Sequence, residues 1–179
     1  MKTNYFLTLS LTVFVILGTS NIAISESPLF KEFDILVVNN LEVTSNTPAP
    51  DSAGSQMAEK AVYQVRRYSQ KFSLFDAIVK EGAKEMPTGK KVLLIKGTVK
   101  EYTQPTLGRR IGRSLIPGGE FTGSAAFAAH YQFIDKETGK VIYETDLRTT
   151  STGTNDTVEY AMERNGEALA KIITKYKGK

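Results

Sequence analysis

Apolar and polar side chains alternate along residues 123–135, which is the pattern of a β-strand with one buried face. The sequence DKETG follows at 135–139, where Gly139 can supply the positive φ that a bulged hairpin turn needs. Residues 141–148 alternate again, so we predict a β-hairpin over 124–148. The side chains predicted to face the core are Ala125, Phe127, Ala129, Tyr131 and Phe133 on the first strand and Val141, Tyr143, Thr145 and Leu147 on the second.

Three further segments have strand patterns. Residues 33–43 (FDILVVNNLEV) open as a continuous apolar run, which predicts a central strand buried on both faces. A short apolar run at 74–79 (LFDAIV) predicts a second, shorter strand. Residues 92–102 (VLLIKGTVKEY) predict a long strand. One face of that strand is predicted to carry Leu93, Ile95, Gly97, Val99 and Glu101.

Two segments have the three-and-four spacing of an amphipathic helix. The first spans 53–72, and Asp51 or Ser52 is expected to cap it. The second begins after Thr154 or Asn155, its expected caps, and contains Gly166, for which we expect a close approach to the sheet. The apolar stripes are Met57, Ala61, Val65, Tyr68 and Phe72 on the first helix and Val158, Ala161, Met162, Leu169, Ile172, Ile173 and Tyr176 on the second.

The order of these elements predicts the fold class. Helices at both ends of a run of mostly antiparallel strands are typical of an α+β two-layer sandwich. We therefore predict a mostly antiparallel sheet of four to five strands with two helices packed on one face, in the order β-α-β-β-β-β-α.

The N-terminal residues resemble an export signal. Lys2 precedes an apolar run of about a dozen residues, too short to cross a bilayer as a helix, and Ala23-Ile24-Ser25 forms a small-residue exit. We predict a signal peptide over 1–25, cleaved after Ser25, and a single domain over 26–179. The protein is then exported, to the periplasm or the medium, with no stable membrane span. The alternative is an uncleaved N-terminal anchor.

Composition narrows the function classes. Of 179 residues, 41% are hydrophobic and 23% charged, which is typical of a globular chain. The net charge of +4 is too small to predict nucleic-acid binding, which needs a dense basic face. Cysteine is absent, which excludes disulfides, thiolate metal sites, a cysteine nucleophile and a lipid attached through an N-terminal cysteine.

No catalytic constellation emerges from the sequence. The single histidine, His130, lies within a predicted strand and is expected to be structural or simply exposed. The carboxylates near the hairpin are expected to lie in solvent, and the glycine spacing fits neither a dinucleotide nor a phosphate loop. We predict no enzyme, no cofactor and no metal. The carboxylates in question are Asp135, Glu137, Glu144 and Asp146.

A basic, glycine-rich loop at 108–119 is the candidate binding site. Arg109, Arg110 and Arg113 lie within five residues of one another, and guanidinium groups bind carboxylates and phosphates in bidentate fashion. Anionic lipid head groups, peptidoglycan carboxylates or an acidic protein patch would suit them. The alternative is a solvated loop whose arginines pair with Glu101 and Glu120.

The segments FDILVV, IKGTVKEY and DKETGKVIYE, with the Arg- and Gly-containing loop between the last two, resemble the bacterial family labelled domain of unknown function 4410. The likeness covers roughly residues 33–175. That family is similar in layout to small α+β domains of envelope assembly proteins, such as the N-terminal domain of the Tol translocation protein and the curli secretion lipoprotein. Many members look like lipoproteins, from which this cysteine-free chain departs.

The resemblance implies no enzymatic activity and a partner in the bacterial cell envelope. We therefore expect a non-enzymatic envelope interaction or assembly module that binds a protein or an anionic envelope component. The alternative is a protein that binds a small ligand or an anionic envelope polymer, either through the basic loop or in a pocket between the helices and the sheet.

Overall fold

The computed structural model describes residues 28–83, 89–105, 124–151 and 156–179. Within these residues the chain forms six strands in one sheet and two helices. The elements are β1 (Ile35–Val38), β2 (Glu42–Val43), α1 (Ala53–Phe72), β3 (Ala77–Lys80), β4 (Val92–Thr103), β5 (Ala126–Asp135), β6 (Val141–Thr150) and α2 (Val158–Tyr176).

The sheet has the strand order β3-β1-β4-β5-β6, and β2 pairs with β4 beside this path. β1 lies parallel to both β3 and β4, whereas the two longest ladders, β4–β5 and β5–β6, are antiparallel. The α+β class and the mostly antiparallel sheet are confirmed. β1 is a central strand whose four residues are all buried, which confirms the interpretation of its continuous apolar run.

The predicted strand count of four to five was wrong, because residues 33–43 form two strands. After β1 the backbone of Leu41 turns toward the first helix, where its N–H donates to Gly54 O at 3.2 Å. A side chain at Gly54 would not fit, since a Cβ there would lie 1.8 Å from Leu41 O. This close backbone contact separates β1 from β2.

One hydrophobic core lies between the sheet and the two helices. α1 packs mainly over β3, with fewer contacts to β1, β2 and β4, and α2 packs over β5 and β6. The helices also contact each other, and there the expectation for Gly166 was wrong. A Cβ at Gly166 would lie 3.1 Å from Lys60 O, so this glycine allows the close approach of α1 and not of the sheet.

The helix starts match the predicted caps only in part. Ser52 holds the N-cap position of α1, but its side chain makes no capping hydrogen bond. Thr157 caps α2, where its side chain accepts from the backbone N–H of Tyr160 at 3.2 Å. Thr154 and Asn155 lie outside the described residues.

Two bulges change which face some side chains occupy. The β4–β5 register shifts between Val99 and Glu101, which moves Glu101 to the face opposite Val99 and contradicts the prediction. A second shift near the hairpin turn leaves Val141 42% exposed, although an inward position was predicted. Tyr143 does point inward, 4.7 Å from the ring of Tyr176.

Candidate functional site

The sheet face opposite the helices, which we call the outer face, has two chemically different ends. At one end the aligned side chains of β3, β1, β4 and β5 are apolar. At the other, the side chains aligned across β4, β5 and β6 are mostly polar. The register places Val79, Val37, Leu94 and Ile134 across the apolar end. It places Lys96, Gln132 and Glu144, then Thr98, His130 and Asp146, then Glu101, Ala128 and Arg148 across the polar end.

The apolar end forms the floor of a shallow cavity of about 250 Å³. Val37, Val79 and Leu94 line it with their apolar side chains. Among the described residues, its charged lining consists of three lysines and one glutamate, so this part of the rim is mainly cationic. These residues are Lys80, Lys96, Lys136 and Glu81.

One rim lysine is tied to the first helix. Lys80 Nζ donates to Ser55 Oγ at 2.7 Å and to Glu59 at 2.8 Å. The hydrogen bond from Lys80 lowers the pKa of the Glu59 carboxyl. Lys96 is exposed on the outer face, where an acidic group on a partner can reach it.

An ion pair joins β4 to β6 at the polar end. Arg148 Nε donates to Glu101 at 2.7 Å and its Nη2 at 3.1 Å, so the guanidinium grips the carboxylate with two hydrogen bonds. These bonds hold the pKa of Glu101 below its ordinary value of 4.5. The bulge in β4 makes this pair possible because it turns Glu101 to the outer face.

His130 lies in the middle of the polar end. Its Nδ1 is 3.0 Å from Asp146 Oδ1, and its Nε2 is 3.8 Å from Glu144. Both carboxylates are exposed, as predicted, with relative side-chain exposures of 79% and 60%. Within the described parts of the chain, no three His, Cys, Asp or Glu side chains are grouped so that they could hold a metal ion.

The basic loop predicted as a binding site lies outside the described residues. Arg109, Arg110 and Arg113 belong to it, and Glu120, which directly follows it, also lies outside the described residues. Glu101, one of the two carboxylates suggested as partners for these arginines, accepts two hydrogen bonds from Arg148. The proposal that this loop binds an anionic group therefore stays a prediction.

A buried polar cluster was missed in the sequence. Asn165 accepts from the Tyr131 hydroxyl at 2.7 Å and donates to Leu147 O at 3.1 Å, which ties α2 to β5 and β6. Burial raises the pKa of Tyr131, so this hydroxyl stays protonated and donates. The sequence did contain a signal for this cluster, because the polar Asn165 lies between Met162 and Leu169 in the apolar stripe of α2.

A second buried cluster holds the start of α2 against the sheet. Asp156 Oδ1 accepts from the backbone N–H of Ala125 at 2.9 Å and from the Ser151 hydroxyl at 2.5 Å. Ser151 and Asp156 are almost fully buried. Their role is structural, because both bonds stay within the protein and fix the ends of neighbouring segments.

No known protein-family profile and no curated protein matches the chain. Solved structures do. A single-substitution variant of the PelC dodecamer from Paraburkholderia phytofirmans is 15% identical, covers 84% of this chain and 92% of its own, and gives a TM-score of 0.53. At this identity the likeness shows a shared fold and nothing about activity.

Two other solved structures are more distant. A DUF330 protein from Xanthomonas campestris is 11% identical over 80% of this chain and 81% of its own, with a TM-score of 0.44. A lipoprotein from Neisseria meningitidis is 10% identical over 77% of this chain and 95% of its own, with a TM-score of 0.32. Neither described helix of the present chain has the length and apolar character needed to cross a membrane.

Proposed function

We propose that the protein is a non-enzymatic interaction module of the bacterial cell envelope, and that it binds an acidic partner protein through the apolar end of its outer face. The cavity over Val37, Val79 and Leu94 carries this proposal. Burial of a partner's apolar side chain against this apolar floor is favourable, and the lysines around the floor attract acidic groups of the partner.

The envelope assignment is supported by the sequence. Residues 1–25 have the layout of an export signal, and the resemblance to the domain of unknown function 4410 family points to the same compartment. The fold shared with PelC is compatible with a role in assemblies, since PelC is a dodecamer. Whether the protein is periplasmic or secreted is tested by fractionation of the producing cells.

The non-enzymatic assignment is supported by the setting of the titratable groups. A catalytic histidine usually works in a cleft that excludes water and positions a substrate. His130, whose side chain is 26% exposed, instead belongs to a row across three strands of the outer face, with the exposed Asp146 and Glu144 beside it. This arrangement suits cross-strand stabilisation better than proton transfer to a bound substrate.

Site-specific crosslinking tests the proposed surface. A photoreactive amino acid is placed at Lys96, beside the cavity, or at Tyr63, which is 59% exposed on α1 and serves as the control. With the N-terminal segment retained, we expect one dominant envelope adduct from position 96 and none of that mass from position 63. Equal adducts from both positions, or none from either, would refute the proposal that this surface binds the partner.

Direct binding to the captured protein then tests the charge argument. Lys96→Glu is expected to weaken binding at least tenfold and to reduce its salt dependence. Lys71→Glu, at the exposed end of α1, is the matched control and leaves binding unchanged. The alternative, in which an anionic polymer binds the basic loop, predicts that replacing Arg109, Arg110 and Arg113 by serine abolishes binding while Lys96→Glu has no effect.

A further inference from the structure

The outer edge of β6 is a long stretch of strand that no other strand covers within the described part of the chain. β6 pairs with β5 on one side along nearly its whole length. Its other side presents backbone N–H and C=O groups, which form hydrogen bonds with any strand that aligns with them. The sequence of β6 decides which strands fit.

The register shows which residues of β6 present these groups. Ser151 N donates to Ala125 O at 2.8 Å, so the backbone at this position faces β5. Pairing alternates along an antiparallel ladder, so every second residue back from Ser151 also bonds to β5 and those between point outward. Thr150 O is consistent with this alternation, and Arg164 Nη1 already donates to it at 2.7 Å. The outward backbone groups are those of Glu144, Asp146, Arg148 and Thr150.

The middle of β6 is self-complementary when it is reversed. The segment 145–149 reads Thr-Asp-Leu-Arg-Thr, with leucine at its centre and an acid and a base on either side. When two copies run antiparallel with Leu147 facing Leu147, Asp146 of each lies opposite Arg148 of the other. Both charged residues also present their backbone groups outward, so hydrogen bonds and ion pairs form in the same register.

The neighbouring side chains extend this charge pattern. Asp146 and Arg148 are well exposed, at 79% and 60%, and can reach a second copy. Across the junction the row would run Glu101, Arg148, then Asp146 and His130 of the second copy, so that Arg148 lies between two carboxylates. An edge that carries charges of one sign repels a second copy, whereas this edge attracts one.

We infer that two copies of this chain pair along β6 as an antiparallel, two-fold symmetric dimer centred on Leu147. The two sheets join into one continuous sheet, and the same segment of each copy forms the interface. This inference goes beyond the proposed function, because the partner surface lies at the other end of the outer face and binding there needs no self-pairing. The β6 dimer can be wrong while the proposed partner surface is right, and the reverse is equally possible.

Charge reversal tests the register. Asp146→Arg places two pairs of arginines opposite one another, and Arg148→Asp places two pairs of aspartates opposite one another. Each variant alone is expected to self-associate at least about tenfold more weakly than the natural chain in sedimentation experiments. Mixed in equal amounts they are expected to form a heterodimer, because every facing pair is then opposite in charge.

A single cysteine gives an independent measurement, since the chain has none of its own. Leu147→Cys places two thiols in directly opposed positions with Cα atoms about 4.5 Å apart, which a disulfide can bridge. With oxidised glutathione we expect a covalent dimer. Thr145→Cys is the control, because its two copies lie roughly 13 Å apart in this register.

Three results would overturn the inference. The first is a natural chain that stays monomeric at high micromolar concentration. The second is crosslinking at Thr145→Cys that equals crosslinking at Leu147→Cys. The third is a mixture of the two charge variants that associates no better than either alone, although circular dichroism shows both folded.

Discussion

The two faces of β5 differ in burial and in chemistry. On the face toward the helices, Phe127, Tyr131 and Phe133 have no exposed surface. On the outer face, His130 and Gln132 are only partly buried and contact carboxylates of β6. One strand thus contributes to the core with alternate residues and to a surface with those between.

This difference separates stability from recognition. Burial of apolar area is the main favourable contribution to folding, at roughly 25 cal/mol per Å². Substitutions on the helix side of β5 should therefore lower the free energy of unfolding strongly. Substitutions on the outer face should change it little and instead alter what the protein binds.

The largest loss of stability is expected for a substitution at Phe133. Its ring stacks on Phe30 at 4.8 Å and lies 5.6 Å from the ring of Tyr143. Phe133→Ala should lower the free energy of unfolding by about 3–5 kcal/mol, because it leaves a cavity in the core. The outer-face control His130→Ala should change it by less than about 1 kcal/mol. Urea denaturation measures both, and equal losses would contradict the division between the faces.

An intermediate effect is expected at Asn165, which holds α2 on the helix side of the sheet. Asn165→Leu leaves the Tyr131 hydroxyl buried without its partner and should cost about 1–3 kcal/mol. In the double variant with Tyr131→Phe that stranded hydroxyl is removed, so the combined loss should be smaller than the sum of the two single losses. Strict additivity in a double-mutant cycle would show that the hydroxyl has another partner.

The sequence predicted the helix side of the sheet better than the outer face. The period-two pattern of 125–133 identified the buried side of β5 because every buried position there is apolar. The helix over 53–72 matched α1 for the same reason, since its apolar stripe repeats over about four turns. A pattern that repeats over many residues still predicts the right element when a single position departs from it.

The sequence-based predictions failed where a turn or a bulge in the backbone interrupts the strand pattern. The turn at Leu41 depends on a contact with Gly54. Asn39 and Asn40, which are disfavoured within strands, stand just before it, and the predicted continuous strand passed over them. The bulge beside Glu101 adds one residue to β4, which reverses the face of every later side chain. Both events depend on tertiary pairing, so single-strand periodicity could not predict them.

The candidate sites show the same limit. Clustered arginines made the basic loop at 108–119 conspicuous in the sequence. The cavity over Val37, Val79 and Leu94 was not, because its residues come from three strands whose alignment only the sheet reveals. The self-complementary segment of β6 became meaningful only when the strand order placed β6 at an edge.

The smallest effect is expected at the Glu101–Arg148 pair on the outer face. The side chains are 31% and 60% exposed, so solvent screens the pair and its contribution should be roughly 0.2–1 kcal/mol near neutral pH. Glu101→Gln should lower the free energy of unfolding by that amount. Glu42→Gln, an exposed glutamate on the short strand β2, is the control and should change it less.

The pH dependence of this difference follows from the pKa of Glu101, which the hydrogen bonds from Arg148 hold below 4.5. Because the folded-state pKa is lower than the unfolded one, the unfolded chain binds the proton more readily. The pair therefore stabilises the fold fully above pH 4.5, and this stabilisation is lost as the pH falls through the depressed pKa. The natural chain and Glu101→Gln should then become equally stable in acid, whereas a gap that widens there would place the stabilising charge elsewhere.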